Sequence, residues 1–295
     1  MAPLSTSASG EGFWGEATST IDWCEENYAV TAYLAEFWNT LSNWLFLIPP
    51  LFGAFLTWEN KLERRYTLAF LSLCVVGIGS VCFHATLLYE MQLLDELPMI
   101  YGTCVLIFSI WHCSYRPRNH NITLTLVLIV CCAMVTLVYL TVVNPLIFQW
   151  AYSFQVAALV LQSIMACRKH KGSKRLLTIS LSSFAIGFIF WTIDNNYCSY
   201  VRDVRNALFP PIRPFTQLHA IWHTLAAIGS YYHILFSIDL RLRCLGRPTN
   251  LKLFWEWLPF VYPSKDSSAY DILPTVNHNA AIFLLLFGLI MKLLK

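Results

Sequence analysis

Seven runs of predominantly apolar residues divide the chain, at 35–58, 66–88, 93–112, 122–143, 146–166, 176–197 and 215–239. Each approaches or exceeds the roughly 20 residues a helix needs to cross a hydrocarbon core. Short polar connections separate them, with no soluble domain between. The pattern predicts an all-α membrane protein, a seven-transmembrane helix bundle. Residues 1–34 form an N-terminal segment, 35–239 the membrane domain, and 240–295 a tail. An eighth apolar stretch, 280–294, is short for a span at about 15 residues and stays unassigned. Pro49-Pro50 inside the first run predicts a kink, tolerated where neighbouring helices re-satisfy the freed carbonyls. The first 30 residues lack the basic start and continuous apolar core of a cleavable signal.

Lys and Arg set the orientation, because short loops rich in them stay cytosolic. Lys61, Arg64 and Arg65 follow the first run, and Arg116 and Arg118 the third. Five basic residues from Arg168 to Arg175 follow the fifth run, and Arg241, Arg243, Arg247 and Lys252 the seventh. The opposite side offers only Arg202, Arg205 and Arg213, and residues 1–34 contain no Lys or Arg. The N-terminus is therefore expected in the lumen and the C-terminus in the cytosol. Composition agrees: 57% of residues are hydrophobic and 13% charged, against about a quarter charged in soluble domains. The net charge of +3 adds little. Of the ten Cys, most lie in apolar runs or toward the cytosolic side. Cys24 and Cys198 fall on the luminal side, where an oxidising compartment permits a disulfide and two free thiols are the alternative.

Ionisable groups inside spans are costly unless paired, solvated or bound to metal. Ser80 and His84 lie four apart, on one helix face; Asp95 and Glu96 open the third run; His219 and His223 are again four apart. The second run ascends toward the lumen, while the third and seventh descend from it, so His84, Asp95, His219 and His223 reach one layer. Three His with an open fourth position make a catalytic zinc site, with water as the remaining ligand. Asp95 is a candidate to orient a His, hold the water or act as general base. Ser80 is a candidate donor to a developing oxyanion. The plain alternative is helix-helix hydrogen bonding, which is the reading given to His233. Asp194 and Asn195 read as caps or bundle contacts. Six acids without a base precede residue 37, among them Asp22, Glu25 and Glu36. By composition alone they read as a solvated acidic tail.

Several strings resemble the alkaline ceramidases. They are Asp22-Trp-Cys-Glu-Glu-Asn27, Ala35-Glu-Phe-Trp-Asn39, Ser80-x-x-x-His84, Gln92-Leu-Leu-Asp-Glu-Leu-Pro-Met-Ile-Tyr101, Phe190-Trp-x-Ile-Asp-Asn195 and His219-x-x-x-His223. The likeness spans about residues 11–262, in order. It implies a seven-span fold shared with adiponectin-type receptors and an intramembrane zinc ion on His84, His219 and His223, assisted by Asp95 and Ser80. It also implies structural or regulatory calcium on Asp22, the Trp23 carbonyl, Glu25, Asn27 and Glu36, and a Cys24–Cys198 disulfide. The implied activity is calcium-stimulated hydrolysis of ceramide, including phytoceramide or dihydroceramide, in the endoplasmic reticulum or Golgi membrane. The alternatives are a zinc-containing lipid receptor and a hydrolase remodelling other lipid esters. No nucleic-acid partner and no obligate protein partner is expected. The sequon Asn121-Ile-Thr falls on an expected cytosolic loop.

Overall fold

The computed structural model describes residues 12–115, 121–254, 256 and 258–264. Glu11, Arg116, Arg118 and the apolar stretch 280–294 lie outside the described residues.

The first apolar run folds as two pieces, α1 (Phe37–Ser42) and α2 (Trp44–Glu59), joined at the buried Asn43. Pro49 and Pro50 both lie within α2 and are buried. Then come α3 (Arg64–Thr86), α4 (Tyr89–Trp111), α5 (Ile122–Val142), α6 (Pro145–His170) and α7 (Lys174–Asn196). A short α8 (Cys198–Ala207) and a 3-10 turn (Pro210–Thr216) lead into α9 (Leu218–Cys244). Local chemistry places several of these ends. Asn121 and Ser173 cap α5 and α7 by accepting from backbone N–H groups three residues on. Asn144 caps α6, whose first residue is Pro145. Leu87 adopts φ +54°, which stops α3 and turns the chain straight into α4.

Six segments among the described residues are long and apolar enough to cross a membrane, α1 and α2 counting together as one. The seventh expected run is α9, whose 27 residues extend about 40 Å at 1.5 Å per residue. It is not among the six. His219, His223 and His233 and its charged final turns dilute its apolar character, and its position explains why that is tolerated. Packed against α7, α3, α2, α4 and α6, α9 buries Ile234, Leu235, Phe236 and Leu240 completely. A helix at the centre of a bundle does not face lipid, so its polar groups can be met by protein. By contrast, α5 exposes Leu126, Val127, Val130, Met134 and Leu137, as a lipid-facing helix would.

After α9 the chain forms an antiparallel hairpin, β1 (Thr249–Phe254) and β2 (Leu258–Pro263). Leu258, Phe260 and Val261 bury into the main core cluster, and the Tyr231 hydroxyl donates to the Pro259 carbonyl at 2.9 Å. This hairpin caps the end of the bundle away from the histidines.

Candidate metal centre and active site

Of the residues that the topology argument brings to one layer, the three histidines meet, and Asp95 lines the same cavity as two of them. His84 ends α3, Asp95 lies in the second turn of α4, and His219 and His223 open α9. One ring nitrogen from each of His84, His219 and His223 lies within 4.8 Å of the other two. All three rings are buried. Their centroids are 4.5–5.1 Å apart.

Hydrogen bonding sets the tautomers. His223 Nδ1 lies 3.1 Å from the Asn39 carbonyl; a carbonyl only accepts, so Nδ1 carries the proton and Nε2 keeps its lone pair. His84 Nδ1 lies 2.5 Å from Glu36 Oε2, with both groups fully enclosed. Its Nε2 is buried without a partner, as is His219 Nδ1. An unmet buried polar atom costs about 1–3 kcal/mol, so two on facing rings mark a place where a ligand belongs. Zinc-nitrogen bonds of about 2.0–2.1 Å at tetrahedral angles would hold the nitrogens about 3.4 Å apart. The arrangement fits a zinc ion after a shortening of no more than about 1.4 Å between the nitrogens. The outer contacts, carboxylate to His84 and carbonyl to His223, are those that orient metal-binding imidazoles.

Trp23 stacks on His219 with ring centroids 3.7 Å apart, and Trp191 meets Trp23 edge-on. Ser80 lies beside the Asp95 carboxyl, within interaction range of it. Gly79 explains the closeness: a Cβ there would collide with the Leu94 carbonyl and the Asp95 amide. Ser80, Asp95, His219 and His223 line one cavity of about 530 Å³. Its remaining wall is largely apolar, with Phe46, Leu73, Val76, Met99, Phe184 and Phe188 among its residues. Tyr152 of α6 lines the cavity as well, within electrostatic reach of Asp95.

The N-terminal segment is folded over this end. Thr18 and Ser19 donate backbone N–H groups to the Leu87 carbonyl, and Glu36 donates to the His84 carbonyl. Cys24 and Cys198 form a disulfide, Cα–Cα 5.2 Å. Arg205 of α8 donates to the Cys24 carbonyl at 2.9 Å and to Glu26 at 2.6 Å. Asp194 accepts from the Cys24 N–H at 3.0 Å and also meets the His219 backbone; it is a contact between segment and bundle. His233, ten residues past His223, pairs with Ser163 at 2.9 Å.

Asp22, Glu25, Asn27 and Glu36 gather in the same segment. Asp22 lies close to Asn27 and Glu36. Glu25 accepts from the Trp38 and Asn39 backbone N–H groups at 2.7 and 2.9 Å. Asn27 Oδ1 and Glu36 Oε1 are buried without partners. Burial holds the Asp22 carboxyl above its usual range, against the lowering effect of Arg202. Burial and the neighbouring Glu36 push Glu25 up to about 8. Crowded oxygens whose ionisation is opposed, two of them unpartnered, suit a hard cation, which calcium exemplifies.

Sequence reasoning missed Tyr152, the Trp23 stack, and Glu36 and Asn39 as partners of the imidazoles. The spacing of Gln149, Tyr152 and Ser153 in an otherwise apolar helix was the available sign for Tyr152. The imidazole partners depend on a fold-back of the N-terminal segment that no periodicity encodes.

Comparison with known proteins adds an independent finding. The chain matches the family profile described as Ceramidase over residues 15–265. It is 46% identical over 249 residues to mouse alkaline ceramidase 3, covering 84% of this chain and 93% of that protein. It is 35% identical over 269 residues to alkaline ceramidase YPC1 of Saccharomyces cerevisiae, with 84% and 85% covered. It is 28% identical over 257 residues to an alkaline ceramidase of Arabidopsis thaliana, with 84% and 94% covered.

Proposed function

The chain belongs to the alkaline ceramidase family, hydrolases of the ceramide amide bond, and from that premise we propose a zinc-dependent, calcium-stimulated amidase embedded in the bilayer. One observation carries the reading. Three enclosed imidazoles, two with an unpartnered nitrogen, cluster at the wall of an apolar cavity beside a Ser80–Asp95 pair. The bundle spans the membrane seven times, α9 included, with the N-terminus in the lumen and the C-terminus in the cytosol. The membrane is that of the endoplasmic reticulum or Golgi.

The apolar cavity takes the lipid chains and leaves the amide at the histidine end. His84, His219 and His223 would hold zinc, which would polarise a carbonyl as a Lewis acid and acidify water. Asp95, beside Ser80, accepts a proton from the attacking water. The oxygen then bonds to the carbonyl carbon, the C–N bond breaks, and Asp95 returns the proton to the departing nitrogen. A fatty acid and a sphingoid base leave. Tyr152 and the aromatic wall exclude bulk water from Asp95. Asp22, the Trp23 carbonyl, Glu25, Asn27 and Glu36 would hold calcium, whose charge would offset the crowded carboxylates and steady the segment. Glu36 joins the two sites, because its other oxygen orients His84, and Trp23 joins them again through its stack on His219.

Incubation of purified protein with ceramides, phytoceramides, dihydroceramides and glycerolipid esters, with and without calcium, tests this function. The expected result is sphingoid base released only from the amides, and faster with calcium. Ester cleavage without amide cleavage contradicts it.

A further inference from the structure

At the other end of the bundle, Cys113, His170 and Cys244 each offer one donor atom, and all three atoms lie within 4.8 Å of one another. Among the described residues this is the only such cluster besides the three histidines. Cys113 sits in a short 3-10 turn (His112–Ser114) that follows α4, His170 ends α6, and Cys244 ends α9. From His219 to Cys244 the rise along α9 is about 37 Å, so the two clusters are separate. We propose that Cys113, His170 and Cys244 form a second transition-metal site, selective for zinc, which staples α4, α6 and α9 together at this end of the bundle.

Donor chemistry supports zinc. Two thiolates and one imidazole are a known zinc donor set that leaves the fourth position to water or an external ligand, and hard cations prefer oxygen. Zinc-sulfur bonds of about 2.3 Å require donor separations of about 3.5–3.8 Å, a shortening of no more than about 1.3 Å. Charge balance supports it too. Arg65, Arg241 and Lys169 surround Cys244, offsetting two thiolates. Glu63 in turn pairs with both guanidinium groups, at 2.7 and 2.6 Å, so a divalent cation does not meet unopposed positive charge. Arg241 also donates to the Cys113 and Tyr115 carbonyls at 2.9 and 2.6 Å, which fixes the turn that presents Cys113. The neighbouring His112 is committed elsewhere, to Phe108 and the Asn121 amide. Both cysteines are free thiols, and the proposed orientation puts this end in the reducing cytosol, where thiols persist.

Cobalt and zinc loading of the purified full chain in detergent tests the site, with a readout independent of amidase activity. Wild type and His219→Ala are expected to show a sulfur-to-cobalt charge-transfer band, and Cys113→Ser/Cys244→Ser to lack it. Zinc content is expected to fall from about two equivalents in wild type to about one in either variant. If the double serine variant does not fold, His170→Gln provides the second measurement, and should lose the same zinc equivalent. A cobalt band that survives in the double variant, zinc content unchanged by both the serine and His170 variants, or a Cys113–Cys244 disulfide in freshly isolated protein overturns the proposal.

Discussion

Glu36→Gln isolates the link between the N-terminal segment and the histidine centre. Glutamine keeps the shape and one acceptor oxygen but removes the charge that faces His84 Nδ1 at 2.5 Å in a fully enclosed pair. Partners of this kind raise ligand basicity and fix the ring, and their loss typically costs 10–100-fold in metal affinity or activity. That corresponds to about 1.4–2.7 kcal/mol. The charge of Glu36 beside Asp22 is lost at the same time, so calcium affinity should fall as well. The assay is zinc retention against a graded chelator, with amidase activity at graded calcium in parallel. Both curves should shift, zinc by 10–100-fold. Asp22→Ala is the control, shifting calcium with little effect on zinc. Zinc retention by Glu36→Gln that matches wild type refutes the argument that this carboxylate orients His84.

Asp95→Asn should abolish amide hydrolysis while zinc content stays at the wild-type level, since Asp95 is outside the three-donor cluster; metal analysis beside the activity assay checks both halves. Gly79→Ala should push α4 away from α3 at Leu94, costing about 1–3 kcal/mol by overpacking and lowering kcat; thermal unfolding and single-turnover assays read the two effects. Cys24→Ser/Cys198→Ser opens a link across 174 residues of sequence, worth about 5 kcal/mol in the chain-entropy treatment. Its Tm should drop, and protease should cut the N-terminal segment sooner. Asn121-Ile-Thr should carry no glycan when the protein is expressed in a glycosylating cell, because the proposed orientation puts it in the cytosol.

The helices were legible because a hydrocarbon solvent imposes one simple demand on sequence, a long apolar run. The meeting of His84, His219 and His223, with Asp95 on the wall of the adjoining cavity, was legible as well, since alternating helix direction fixes which ends share a layer. The break at Asn43 was not, because the apolar pattern of 35–58 continues across it. The charged residues Arg202, Asp203 and Arg205 made α8 read as part of a loop. In β2, Leu258, Phe260 and Val261 are all buried, so the polar alternation that marks a half-exposed strand is absent. The partners of the imidazoles were hidden for a different reason. Glu36 and Asn39 reach His84 and His223 across 48 and 184 positions, and only the folded path of the segment brings them there. Composition alone made that segment a solvated tail, whereas Glu25 and Glu36 are buried and Asp22 is half-buried, and only Glu16 among its described acids is exposed.

The most direct test of the histidine centre is to strip transition metal from active protein with a chelator, then restore it with stoichiometric zinc, reading sphingoid-base release at each stage. Wild type should lose its activity on stripping and regain it with zinc, and His219→Ala should stay inactive throughout. Full ceramide hydrolysis by the stripped wild-type protein, or by His219→Ala, would contradict the account.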